Sequence, residues 1–74
     1  VSEWVSVQRS SWLSRARWDA GEDGGPGVML LEAKAGYVLE VRDVTESVWQ
    51  GFLDAPSRGG YYHAVLAAYP KRVI

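Results

Sequence analysis

Catalysis needs a nucleophile, a base or an acid in workable proximity, and this chain offers few candidates. His63 is its only histidine, and nucleophile–base pairs usually require one. Serines are plentiful, but none sits in a Gly-x-Ser-x-Gly elbow. Glu22 and Asp23 are adjacent carboxylates in a glycine-rich stretch. Such a stretch holds an acid–base pair loosely, and no metal-ligand spacing surrounds it. The glycines of 20–27 lack the Lys-Ser/Thr ending of a phosphate loop. There is no cysteine, which excludes disulfides and thiolate metal sites. The expectation is a protein that is not an enzyme and has no cofactor, metal or small-molecule substrate.

What remains is the chemistry of contact. The candidate binding surface is Trp4, Leu13, Arg15, Arg17, Arg58, Tyr61, His63 and Arg72. Single-stranded nucleic-acid binders combine a positive groove with aromatics for stacking. Leu13, Arg15 and Arg17 on one outward strand face would make a modest platform of that kind. Eight basic residues against nine acidic ones is a poor balance for phosphate affinity. The charge is also unevenly placed. Residues 1–18 carry Arg9, Arg15 and Arg17 against Glu3; residues 19–54 carry eight acids against Lys34 and Arg42. Residues 55–74 carry Arg58, Lys71 and Arg72 with no acid. If the two basic ends met in space they would form a small positive patch. Such mixed charge suits a protein partner or another copy of the chain, and an outer strand is open to extension by a neighbour's strand. A protein partner or self-association is therefore the first expectation, and RNA the alternative.

Seventy-four residues make one domain. A chain this short buries only about 60% of the surface its unfolded form exposes. Four Trp and four Tyr must supply much of the core, and a small core leaves some of them for a binding surface. No apolar run approaches the ~18 residues of a membrane helix, and the first residues lack the basic-then-apolar pattern of a secretory signal.

The elements follow from pattern. Residues 1–9 alternate weakly, with Val5 and Val7 on one side and Trp4, Ser6 and Gln8 on the other. They form an N-terminal arm or an edge strand, and the domain proper is 10–74. Trp12 to Trp18 reads as a strand. Trp12, Ser14, Ala16 and Trp18 share a buried face; Leu13, Arg15 and Arg17 share the outer one. Asp19 to Gly27 is a loop. Val28 to Ala33 and Tyr37 to Val41 are strands. A two-residue turn at Ala35-Gly36 would put their apolar sets on opposite sides. A three-residue loop, Lys34-Ala35-Gly36, pairs 33 with 37 and 31 with 39. It unites the apolar sets and puts Gly36 where a left-handed residue is needed. Asp43 with Glu46 resembles a capping box, with Thr45 a rival cap. Val48, Trp49, Phe52 and Leu53 then form a helical stripe that Pro56 ends. Gly59-Gly60 turns the chain, and a second helix runs from about Tyr61 to Tyr69, stopped by Pro70. Val73 and Ile74 dock back on the sheet. The class is α+β: an antiparallel sheet of three or four strands, followed by two short helices packed on one face.

This order resembles the KTSC domain. That small bacterial domain occurs at the C-terminus of some lysyl-tRNA synthetases and as a stand-alone protein. Ser10-Ser11 before Trp12-Leu13, and then Trp18-Asp19, resembles the family's double serine, apolar position and aromatic-Asp. Val28 to Gly36 resembles its strand ending in glycine. Val44 with Val48-Trp49 and Phe52-Leu53 resembles its first helix. Ala55, Ser57, Gly59-Gly60 and Tyr61-Tyr62 resemble its small-residue corner with paired aromatics, and Tyr69 with Arg72-Val73 its end. The chain departs from the family at Tyr37-Val38-Leu39, where the pattern is Tyr-x-Tyr, and at His63, where Asn is frequent. The resemblance implies no established activity. It brings a suggested RNA-binding role, and an occurrence of stand-alone members in phages and prophages. A structural or accessory protein of a phage assembly is the implied setting, in the bacterial cytoplasm or in the virion.

Overall fold

The computed structural model describes residues 3–7 and 10–74. Arg9 and Gln8 of the N-terminal arm therefore lie outside the described residues. Five strands form one antiparallel sheet in sequence order: β1 (Val5–Ser6), β2 (Leu13–Asp19), β3 (Gly27–Ala33), β4 (Val38–Val44) and β5 (Lys71–Val73). Between β4 and β5 come α1 (Glu46–Asp54) and α2 (Arg58–Ala64), then a single 3₁₀ turn at Leu66–Ala68. The sheet has one or two strands more than expected, because the two end segments each contribute a short one. Part of the N-terminal arm is an edge strand, with Val5 opposite Ala16. At the other edge, Arg42 N–H donates to the Pro70 carbonyl and Ile74 N–H to that of Val38, both at 2.9 Å. The two end segments thus supply the opposite edges of the sheet, while Arg15 and Arg17 lie on the inner strand β2.

The β3–β4 hairpin follows its sequence closely. Leu31 pairs with Leu39, and Ala33 N–H donates to the Tyr37 carbonyl at 2.9 Å. The loop is the three-residue one, and Gly36 has φ +104°, which L side chains rarely adopt. Further along β4, one extra residue slips in between the pairs Met29–Val41 and Gly27–Val44. Asp43 absorbs it at φ +63°, a conformation Asp tolerates better than most residues. Asp43 is therefore a bulge residue and not a helix cap. Thr45 caps α1, its Oγ1 accepting from Val48 N–H at 3.3 Å.

β2 contradicts simple alternation. Leu13 lies opposite Ala33, but Arg15 lies opposite Glu32. Two steps on β2 match one on β3, so Ser14 is the extra residue of a bulge. The register shifts there, and Leu13 changes face. Leu13 joins Ala16 and Trp18 against the helices and is fully buried, so it is removed from the candidate surface. Trp12, just ahead of the strand, packs edge-on against Tyr62 with ring centroids 5.1 Å apart.

The second helix also starts earlier than its aromatics indicate. Ser57 Oγ accepts from Gly60 N–H at 3.1 Å and caps α2. Gly59 and Gly60 lie in the helix's first turn instead of forming a free corner. The helix ends at Ala64, where Val65 leaves helical geometry.

One face of the sheet meets this helical layer. Leu13, Ala16, Trp18, Met29, Leu31, Val41 and Val44 pack against Trp49, Phe52, Tyr62 and Leu66. Trp18 Nε1–H donates to the Val44 carbonyl at 2.9 Å, so the indole is buried with its polar group satisfied. Burial pushes the Tyr62 hydroxyl above its ordinary pKa of 10.0, and the Tyr37 phenol adds to this. As pH climbs the unfolded chain ionises first. The stability contribution is whole below about pH 10 and is lost as pH rises through the folded value. Urea melts are expected to show a lower midpoint at about pH 11 than at about pH 8, with Tyr62→Phe shrinking the difference. An undiminished difference in that variant would clear Tyr62 as its source.

Candidate functional site

The side chains named from sequence fall in four places. Trp4, Arg15, Arg17 and Arg72 lie on the sheet face away from the helices. There the Arg15 guanidinium sits 4.3 Å from the Trp4 ring centroid and that of Arg17 5.7 Å away. The two arginines thus lie against Trp4, a grouping that the sequence pattern left unspecified. Its charge, however, is engaged within the same surface. Arg15 Nε donates to Glu32 Oε1 at 2.7 Å, Arg17 Nη2 to Asp19 Oδ1 at 3.0 Å and Arg72 Nε to Glu40 Oε1 at 2.9 Å. Such pairs contribute only about 0–1 kcal/mol each to stability. Their larger effect is to neutralise the cations a phosphate would have to meet. Across the sheet, Arg17, Leu30, Glu40 and Arg72 form one transverse row of cation, apolar residue, anion and cation.

Arg58 and Tyr61 hold the helices. Arg58 Nη2 donates to the Leu53 carbonyl at 2.7 Å, satisfying the open end of α1. Tyr61 Oη donates to the Val48 carbonyl at 3.1 Å, and its ring meets Phe52 edge-on. Neither is a free binding group. Leu13 is in the core.

His63 is exposed on α2. Its ring lies 6.3 Å from that of Trp12 and 5.3 Å from that of Tyr62. Among the described residues it has no hydrogen bond to a serine or carboxylate, so no nucleophile–base pair is assembled. Two hollows of about 250 Å³ each adjoin along Trp12 and His63. The first is polar, walled by Ser10, Ser11, Ser57, Gly59 and Gly60. The second is apolar, walled by Tyr37, Leu39 and Tyr62. Segment 10–12 is pinned in place. Ser10 Oγ accepts from Leu13 N–H at 3.0 Å, Lys34 Nζ donates to the Ser10 carbonyl at 2.6 Å, and Lys34 N–H to that of Trp12 at 2.7 Å. Trp12 Nε1–H is buried without a partner among the described residues. A Cβ on Gly59 would come within 3.1 Å of it, so a glycine there lets α2 approach the indole.

The apolar hollow continues onto a sheet edge. Among the described residues the exposed large apolar side chains are Val5, Tyr37, Val73 and Ile74. Val73 pairs with Leu39 on the groove side, so it and Tyr37 flank the hollow; Ile74, whose N–H binds the Val38 carbonyl, falls on the row of Glu32 and Arg15 on the other face. Sequence reasoning placed Trp12 and Tyr37 on a buried face and missed this groove. The available signal was the nearness of small residues to aromatics at both 10–12 and 57–63. Among the described residues no cluster of three His, Cys, Asp or Glu side chains can hold a metal ion, and no helix is long and apolar enough to cross a membrane.

A scan of this chain against protein-family models finds no match, and a search of curated proteins finds none either. The resemblance to the KTSC domain rests on the quoted residues alone.

Proposed function

We propose that this chain is a small non-enzymatic binding module acting through protein–protein contacts. The observation that carries the reading is exposed Tyr37 in the wall of the groove of Trp12, Leu39 and Tyr62, with exposed Val73 on the strand beside Leu39. Exposed aromatic and aliphatic side chains next to a pocket are what a partner's anchoring residue fits. The KTSC resemblance supplies the setting: a structural or accessory role in a phage or prophage assembly, in the bacterial cytoplasm or the virion. RNA binding is the less supported alternative, because Arg15 and Arg17, the two cations beside Trp4, each face a carboxylate already.

The test is a photo-crosslinking amino acid placed at Tyr37 and, as a control, at exposed Gln50 on α1, in the cells that make the protein. A discrete protein adduct from position 37 and none from position 50 is expected. It should be lost when Val73→Asp is added. No adduct at 37, or equal adducts at both positions, would sink the reading. In parallel, anisotropy titration of a labelled single-stranded RNA should show no saturable binding even at low salt, where electrostatics is strongest. Saturable binding with a log–log salt slope would make RNA the better reading.

A further inference from the structure

The protein-contact reading leaves the mode of contact open, and β5 carries it further. Hydrogen bonds from Arg42 to Pro70 and from Ile74 to Val38 bracket the pair Glu40–Arg72. In an antiparallel ladder the bonded pairs alternate. The backbone groups of 70, 72 and 74 therefore turn towards β4, and those of Lys71 and Val73 turn outwards, unpaired among the described residues. Free edges are commonly guarded by a projecting lysine. Here the Lys71 ammonium is drawn back onto the carbonyls of Ala67 and Tyr69, so the edge is left open. All three residues of the strand are exposed.

We infer that β5 accepts an extra antiparallel strand from an acidic, extended segment of another protein. Four features select that occupant. Outward N–H and C=O groups at Lys71 and Val73 match the two-residue repeat of a strand. Arg72 lies on the open sheet face with its side chain 69% exposed beyond its pair with Glu40, so an acid opposite it would meet a cation on one side and no anion on the other. Val73 lies on the helix side, opposite Leu39, where apolar residues of the added strand would continue the groove. Finally, residues 55–74 contain three cations and no acid. A second copy of this chain fits less well. Two β5 strands related by a two-fold axis at Arg72 would set like charges directly opposite each other, which destabilises a strand pair.

This inference rests on the protein-contact reading, and its test separates the two. The probe is the capped peptide Thr-Val-Glu-Val-Thr, whose Glu falls opposite Arg72 with a Val on each side. Titrated into the ¹⁵N-labelled protein, it should give saturable amide shifts largest at Lys71 and Val73. The same peptide with Lys in place of Glu should bind about fivefold more weakly, the swing from an opposite-charge to a like-charge cross-strand pair. Arg72→Glu should reverse that preference. Val73→Pro should abolish binding while leaving the spectrum of the other strands in place, since the 73 N–H serves no bond to β4. Equal affinity for both peptides, no saturable shift with either, or a dimeric mass before peptide is added would overturn the inference. Shifts confined to Trp12 and His63 would overturn strand addition and leave the protein-contact reading standing. A failed crosslink at Tyr37 would remove that reading without touching the peptide result.

Discussion

Phe52→Ala is expected to lower the unfolding free energy by about 3–5 kcal/mol, the range for removing a fully buried aromatic ring. Phe52 is among the side chains with no exposure at all. It stacks on Trp49 at 5.7 Å and takes the edge of Tyr61 at 6.1 Å. The ring joins both helices, so its loss opens a cavity at the centre of the helical layer. At ~0.05–0.15 kcal/mol per residue a chain of this length has roughly 4–11 kcal/mol in hand. One truncation therefore removes a large share of it. Urea unfolding followed by circular dichroism reads the result. A loss under about 1 kcal/mol would mean the layer collapses around the gap, or that Phe52 is less enclosed than the structure has it.

Leu13→Ala is the second large effect, at about 2–5 kcal/mol. Strict alternation through Trp12 to Trp18 places Leu13 beside Arg15 on the outer face, where the change would cost within ~0.5 kcal/mol. The Ser14 bulge places it in the core. Arg15→Ala serves as the internal reference, since its ion pair with Glu32 is half exposed and such pairs contribute about 1 kcal/mol at most. If both truncations cost the same small amount, the bulge is wrong and Leu13 returns to the surface. Leu13→Asp sharpens the contrast: an unpaired carboxylate in that position is incompatible with folding.

The parts of the fold legible in the sequence are those where independent constraints coincide. The β3–β4 hairpin is fixed by parity and by the need for a glycine at position 36, and the two agree. Helix α1 has an apolar stripe, a cap within one turn and Pro56 beyond its end. Leu13 was not legible, because a bulge adds a residue that no count of alternation registers. The start of α2 was hidden because Gly59-Gly60 reads as a break, while the Ser57 hydroxyl had enough reach to cap a helix running through both. Three-residue β5 is too short to show a period. Of the candidate surface, strand parity puts Arg15 and Arg17 on one outward face; the place of Trp4 beside them was not readable, because the first nine residues fit an edge strand or an arm equally well. The carboxylate facing Arg15 was not readable either, since Glu32 comes from another strand and meets it only through register, as Glu40 meets Arg72; Asp19, two residues beyond Arg17 on the same strand, was within reach of parity. The groove was missed because its walls come from three separate stretches, and pattern within any one of them says nothing about their meeting.

The strand order has a consequence for how this module sits in a larger object. β1 and β5 occupy opposite edges of a five-stranded sheet, four strand spacings apart, or roughly 19 Å at ~4.8 Å each. Whatever polypeptide leads into β1 and whatever follows β5 leave from opposite flanks. In a longer chain or a row of subunits the domain is thus an in-line link, and pull applied to its two ends runs across the strands. Load of that kind opens backbone hydrogen bonds one ladder at a time, beginning with the short ladders at the two edges, and leaves the central β2–β3–β4 meander for last.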